Sequence, residues 1–173
     1  MGDGMINFTS CLRALDAIEV KTLQKYTKYK FPNKYINTIA ECDYGCPQDQ
    51  RVIFFDNTLK KIDMKFLGRF LSASQNNYET ETIWEELSNP PEFFPEKIIA
   101  FAVDPFGNYF CFDYRQDPKT DNPPVVFWNH EGAGTEEAVS FLAKDFEAFL
   151  DMLKSEEEAE EEYQKLKAQH QAD

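Results

Sequence analysis

Asp104 and Asp113 are the first residues of this chain that could do chemistry. They bracket an aromatic stretch, DPFGNYFCFD, and two carboxylates held close together can divide acid and base roles in hydrolysis. Their spacing argues against it. Asp104-Pro105-Phe106-Gly107 has the residues of a type I turn followed by a bulge: an aspartate that bonds back to the backbone, a proline that fixes φ, and a glycine free to take positive φ. Asp113 lies nine residues beyond Asp104, at the far end of the strand that follows. That puts the two carboxylates more than ~20 Å apart, too far to work as a pair. A calcium loop would need glycine at its sixth position and glutamate at its twelfth; here the glycine is fourth.

Other combinations are as thin. Cys42 and Cys46 offer two metal ligands, to be completed from Cys11, Cys111, His130 or His170, but their spacing is not that of a zinc knuckle. The four cysteines are expected to stay thiols, as a reducing cytosol keeps them. His130-Glu131 could be a general base with an orienting carboxylate, yet one such pair after a strand reads as a turn. GxGxxG, GxxxxGK[ST], GxSxG and HExxH are all absent. The residues therefore predict a binding protein rather than an enzyme, with no cofactor and no metal.

Several elements must position these residues. Residues 20–29 have helical spacing, and Pro32 suits the first turn of a second helix whose stripe is Tyr35, Ile36, Ile39 and Ala40, with Gly45 as its stop. Strands are predicted over 51–55, 66–71, 97–103, 108–114, 125–128 and 138–142. A short helix is expected within 77–87. In the strand 108–114, Phe110, Phe112 and Tyr114 face one way and Tyr109, Cys111 and Asp113 the other; both faces are largely apolar, so the strand is expected to be central and covered on at least one side by helix. Asp145 caps a helix with Phe146, Phe149, Leu150 and Leu153 on one face. The fold class is α+β: a twisted, mostly antiparallel sheet of about five to six strands with helices packed against it, over 1–154. An acidic tail, helical or frayed, occupies 155–173.

Charge narrows the partners. The chain of 173 residues carries a net −13; its tail holds seven acids and two lysines, leaving 16 basic and 24 acidic residues in the body. Phosphate backbones and anionic membranes repel such a surface, whereas a basic protein is drawn to it. There is no apolar run of about 18 residues to span a membrane. Asp3 stands where a secretion signal has positive charge, and Ile6 where myristoylation needs serine or threonine, so neither is expected.

Three blocks, IIAFAVDPFGNYFCFDYR, NPPVVFWNHE and DFEAFLDML, resemble the SUKH superfamily, the group of the Smi/Knr-type cell-wall assembly regulators. KFPNKYINTIAECDYG is similar to its N-terminal hallmark through Pro32, Tyr35 and Gly45, with Phe31 in place of leucine. Asp145 stands where the family usually has serine. The resemblance covers 20–154 and implies an α+β domain without catalytic residues. It further implies a bacterial, cytoplasmic immunity protein that binds and neutralises a cognate toxin, expected to be a basic, nuclease-type protein; a regulatory scaffold is the alternative. Aspartates and aromatics at loop tips are then the expected contacts: Asp43, Tyr44, Asp104, Phe106, Asp113, Tyr114, Trp128 and Glu131.

Overall fold

The computed structural model describes residues 6–75 and 80–172. Residues 1–5, on which the reading of Asp3 rests, and 76–79, where the helix expected within 77–87 would begin, lie outside that description. Asp16 opens α1 (Ala17–Thr27): its carboxylate accepts from the Ile18 N–H at 3.0 Å, and Glu19 accepts from the Asp16 N–H at 3.3 Å. This capping box starts the helix ahead of the periodic stripe from which residue 20 was inferred. Pro32 precedes α2 (Asn33–Glu41), which buries Tyr35 and Ile39.

Gly45 does not stop α2. The helix ends at Glu41, and the left-handed residue beyond it is Tyr44, at φ +60°. Gly45 is needed for space: a Cβ there would lie 2.6 Å from Cys42 Sγ and from the Phe8 ring. Two strands unread in the sequence, β1 (Phe8–Ser10) and β2 (Cys46–Pro47), pair antiparallel at this point. Beside them Arg13 and Asp43 form an antiparallel bridge, with Leu12 N–H donating to Asp43 O at 3.1 Å and Asp43 N–H to Arg13 O at 2.7 Å. The bridge brings the Cα atoms of Cys11 and Cys42 to 5.3 Å, and the two are joined as a disulfide. The expectation of four thiols is corrected: Cys46 and Cys111 are the free ones. The cross-link closes a loop of sequence separation 31, so Cys11→Ser is expected to cost about 3 kcal/mol. Denaturant unfolding without reductant measures it.

The strand expected over 66–71 is two strands. β3 (Arg51–Asp56) and β4 (Lys61–Phe66) make a hairpin, and after Gly68 a short β5 (Arg69–Phe70) joins the main sheet. Gly68 divides them: its N–H donates to Val103 O at 2.8 Å, and a Cβ there would lie 3.3 Å from the same oxygen. Thr82 caps α3 (Ile83–Ser88), accepting from Glu85 N–H at 3.0 Å. Then follow β6 (Ile98–Val103), β7 (Tyr109–Asp113), β8 (Val125–Trp128) and β9 (Val139–Ala143). These with β5 form one antiparallel five-stranded sheet in the order β5-β6-β7-β8-β9. The chain is α+β.

One sheet face carries a cluster of aromatic rings. Phe101 stacks on Phe112 at 4.3 Å; Phe110 and Phe127 meet edge to face at 5.2 Å. Tyr35 of α2 and Phe146 and Phe149 of α4 (Phe146–Met152) close over them, and Phe54 of β3 packs on Phe127 at 5.1 Å. Each such ring buries 150–250 Å² or so, which makes this layer the main source of stability. The other face, with Tyr109, Cys111 and Trp128, lies under α3 and the proline-rich segment 89–97.

The tail is a second helix, α5 (Glu156–Ala172), and not an extension of α4. Arg51 and Lys154 exchange backbone hydrogen bonds at 3.1 and 2.9 Å, and Ser155 caps the new helix through Glu158. α5 lies on the outer face of the β3–β4 hairpin, burying Ala159 and bringing His170 to 6.3 Å from Phe55. No helix among the described residues is long and apolar enough to cross a membrane.

Candidate functional site

The register of the sheet lines up one end row: Arg69, Val103, Tyr109, Trp128 and Val139 stand opposite one another in turn. Just beyond that row lie the β6–β7 turn and the exit from β8. Their polar residues are tied together. Asp104 Oδ1 accepts from the N–H groups of Phe106 and Asn108, both at 2.8 Å, and its Oδ2 accepts from Asn108 Nδ2 at 2.7 Å. Gly107 has φ +87°, as the turn requires. With its amide nitrogen directed at Asp104, Asn108 presents Oδ1 to His130, accepting from its backbone N–H at 2.9 Å and lying 2.7 Å from Nδ1. Nδ1 therefore carries the proton, and the imidazole is oriented by an amide rather than by Glu131.

A second buried knot supports the first. Asp56 Oδ1 accepts from the Thr58 and Leu59 N–H groups at 2.8 and 3.1 Å, and Oδ2 accepts from Asn129 Nδ2 at 3.1 Å. Asn129 Oδ1 in turn caps the 3-10 turn His130–Gly132 by accepting from Glu131 N–H at 2.9 Å. Lys65 Nζ lies 3.7 Å from Asp56 and 2.9 Å from Asp63. Burial alone would lower the Lys65 pKa; the hydrogen bond and charge of Asp63, with Asp56 and Asp104 behind it, outweigh burial and raise it, so the ammonium is firmly charged.

Around these knots the surface is aromatic and acidic. Phe106, at the turn tip, is 69% exposed, and Phe93 is 66% exposed at φ +63°, with its ring near Gly134. Phe93 is held out because its neighbour Phe94 is anchored inward, 5.1 Å from Trp128 and 6.0 Å from Tyr109. Exposed carboxylates lie on the same segments, Glu92 beside Phe93 and Glu131, Glu136 and Glu137 in the connection from β8 to β9, where Glu137 pairs with Lys60 at 3.2 Å.

Of the eight expected contact residues, Tyr44, Asp104, Phe106, Trp128 and Glu131 meet at this end. Tyr44 does so at the β5 edge, with the Arg69 guanidinium 4.4 Å above its ring. Only Phe106, Glu131 and half-buried Tyr44 offer surface there; Asp104 and Trp128 are buried and shape the end from within. Asp113 and Tyr114 are at the opposite end of β7. Asp113 forms a bidentate pair with Arg115, both contacts 2.9 Å, and Tyr114 is buried, its hydroxyl donating to Lys30 O and its ring stacked on Tyr29 at 4.3 Å. Asp43 is buried between α2 and the strand exit at Ser72, accepting from Ser72 Oγ at 2.6 Å and from Ala73 N–H at 3.1 Å. The side chains of Asp43, Asp104, Tyr114 and Trp128 are buried in the fold and present almost no surface.

Sequence reading missed Phe93, Asn108, Asn129, Asp56 and Lys65. Asn108 and Asn129 each follow a legible feature, a turn glycine and a tryptophan strand end; nothing local distinguishes an exposed Phe93 from a buried Phe94.

Burial pushes the Asp43 carboxyl above the ordinary range, against the opposing pull of Ser72, Ala73 and Arg13. The folded state thus holds this proton more tightly than the unfolded chain. The stability Asp43 contributes is complete below the ordinary carboxylate range and is lost as pH rises through the raised pKa. Asp43→Asn removes that loss. Denaturant unfolding at pH 4 and pH 7 is expected to show the variant gaining on the parent between the two.

The sequence model of the SMI1 / KNR4 family (SUKH-1) matches residues 14–152. Among curated proteins, none matches the chain.

Proposed function

The chain belongs to the SMI1 / KNR4 family (SUKH-1), and from that premise we propose that it is a bacterial, cytoplasmic immunity protein that neutralises a cognate basic toxin, a nuclease by preference, by covering it. The observation that carries the reading is the exposed Phe93 and Phe106 at one end of the sheet, with exposed glutamates on the neighbouring segments. Protein interfaces are built this way, with aromatic anchors at the centre and charged groups at the edge. The chain's −13 charge speeds encounter with a basic partner. The carboxylates of Asp56 and Asp104 are occupied by turn and loop hydrogen bonds, which suits a rigid scaffold.

A cytoplasmic site of action exposes the Cys11–Cys42 disulfide to reductants. Phe93 and Phe106 stand on other elements, so inhibition is expected to survive reduction. The functional test is co-expression with the toxin encoded next to it. Cells carrying both are expected to grow; cells that die as readily as with the toxin alone contradict the proposal.

A further inference from the structure

Between α3 and the proline-rich segment 89–97 lies a cleft of about 260 Å³ that the account so far leaves idle. Its walls are apolar: Ile83 and Leu87 from α3, Pro91 and Phe94 from the segment. Two carboxylates stand on it, Glu86 from α3 and the exposed Glu96 at its mouth, against one cation, the exposed Lys97. Glu86 is half-buried, with the Tyr109 hydroxyl beside it. An alkyl slot ending at a carboxylate suits one chemical class: a cation carried on a short apolar stem.

We propose that this cleft receives a basic side chain, arginine by preference, from the protein bound at the adjacent aromatic surface. The cleft and that surface share a wall, since Phe94 lines the first and Phe93, the next residue, stands exposed in the second. An arginine stem would lie along Leu87, Pro91 and Phe94 while its guanidinium meets Glu86. Planar, weakly hydrated guanidinium tolerates such partial burial better than ammonium does. Burial first, then Glu81 and Glu85, hold the Glu86 pKa above the ordinary carboxylate range, so an arriving cation relieves an unfavourable charge. This inference rests on the proposed protein-binding function but is tested without the toxin.

The probe is n-butylguanidinium, titrated into the full chain and followed by backbone amide NMR, with uncharged n-butylurea as control. Saturable shifts confined to α3 and residues 91–100 are expected with the cation alone. Glu86→Gln is expected to weaken that binding about tenfold or more, the loss of one hydrogen bond to a charged group. Leu87→Trp, which fills the slot and keeps the charge, is expected to abolish it. The proposal is overturned by equal shifts with butylurea, by no saturable shift with butylguanidinium, or by unaltered binding in either variant whose remaining spectrum matches the parent. Probe binding that persists when the chain fails to protect cells would reject the immunity reading and leave the cation site standing.

Discussion

Truncating Phe93 and Phe106 together to alanine is expected to weaken toxin binding about a thousandfold while moving the melting temperature by no more than about 2 °C. Both rings are mostly exposed, at 66% and 69%, so the fold loses little when they go. In a complex the same rings would become buried, and central aromatic anchors typically account for 2–4 kcal/mol or so each. Two such losses, partly overlapping, come to about 4 kcal/mol, which is the thousandfold. Trp128→Ala should behave in the opposite way: its ring is buried, so its loss reports on stability first. Calorimetric titration of each variant against the toxin, beside thermal melts, separates the two behaviours.

Asp56→Ala is expected to lower stability by about 4 kcal/mol and to loosen the candidate surface with it. The substitution leaves the Thr58 and Leu59 N–H groups and the Asn129 amide without their acceptor in a buried setting. It also removes one of the two carboxylates beside Lys65. Orphaned buried donors cost about 1–3 kcal/mol each, and breaking a buried charge pair costs about 3–5, with overlap between the two. Asn129 holds the turn that carries Glu131, so hydrogen exchange should quicken at residues 129–132 before it does in β7. Uniform acceleration across the sheet would show instead that Asp56 acts on the whole fold and has no special hold on the surface.

What the sequence discloses here depends on whether a signal is local. The Asp104–Gly107 turn was legible because aspartate, proline and glycine each have one conformational use there, and the structure gives Asp104 and Gly107 those uses. The strand β8 was legible from its unbroken apolar run, and helix α4 from its helical apolar stripe and Asp145 cap. The alternation Ile62-Asp63-Met64-Lys65-Phe66 was equally plain, but the apolar run starting at Phe66 drew the strand too far on. The docking of α5 was not local at all. Its own sequence is polar, and its place comes from the apolar outer face of a hairpin about 100 residues earlier and from the Arg51–Lys154 bridge. The disulfide likewise follows from a bridge between segments far apart in sequence, which cysteine spacing does not encode. For the candidate surface, residue type picked out Phe106 and Glu131, which the structure leaves exposed. It could not tell which aromatics face outward, because that is settled by neighbours such as Phe94 turning in.

The central claim is that this chain acts by occluding another protein and not by chemical turnover. Titrating the toxin's activity with the chain tests it most directly. The account predicts a linear fall to zero, complete at one chain per toxin, and recovery of active toxin when the complex is dissociated by high salt or denaturant and the toxin is refolded. Toxin that stays fully active in excess chain, or that is permanently inactivated by far less than one equivalent, would contradict it.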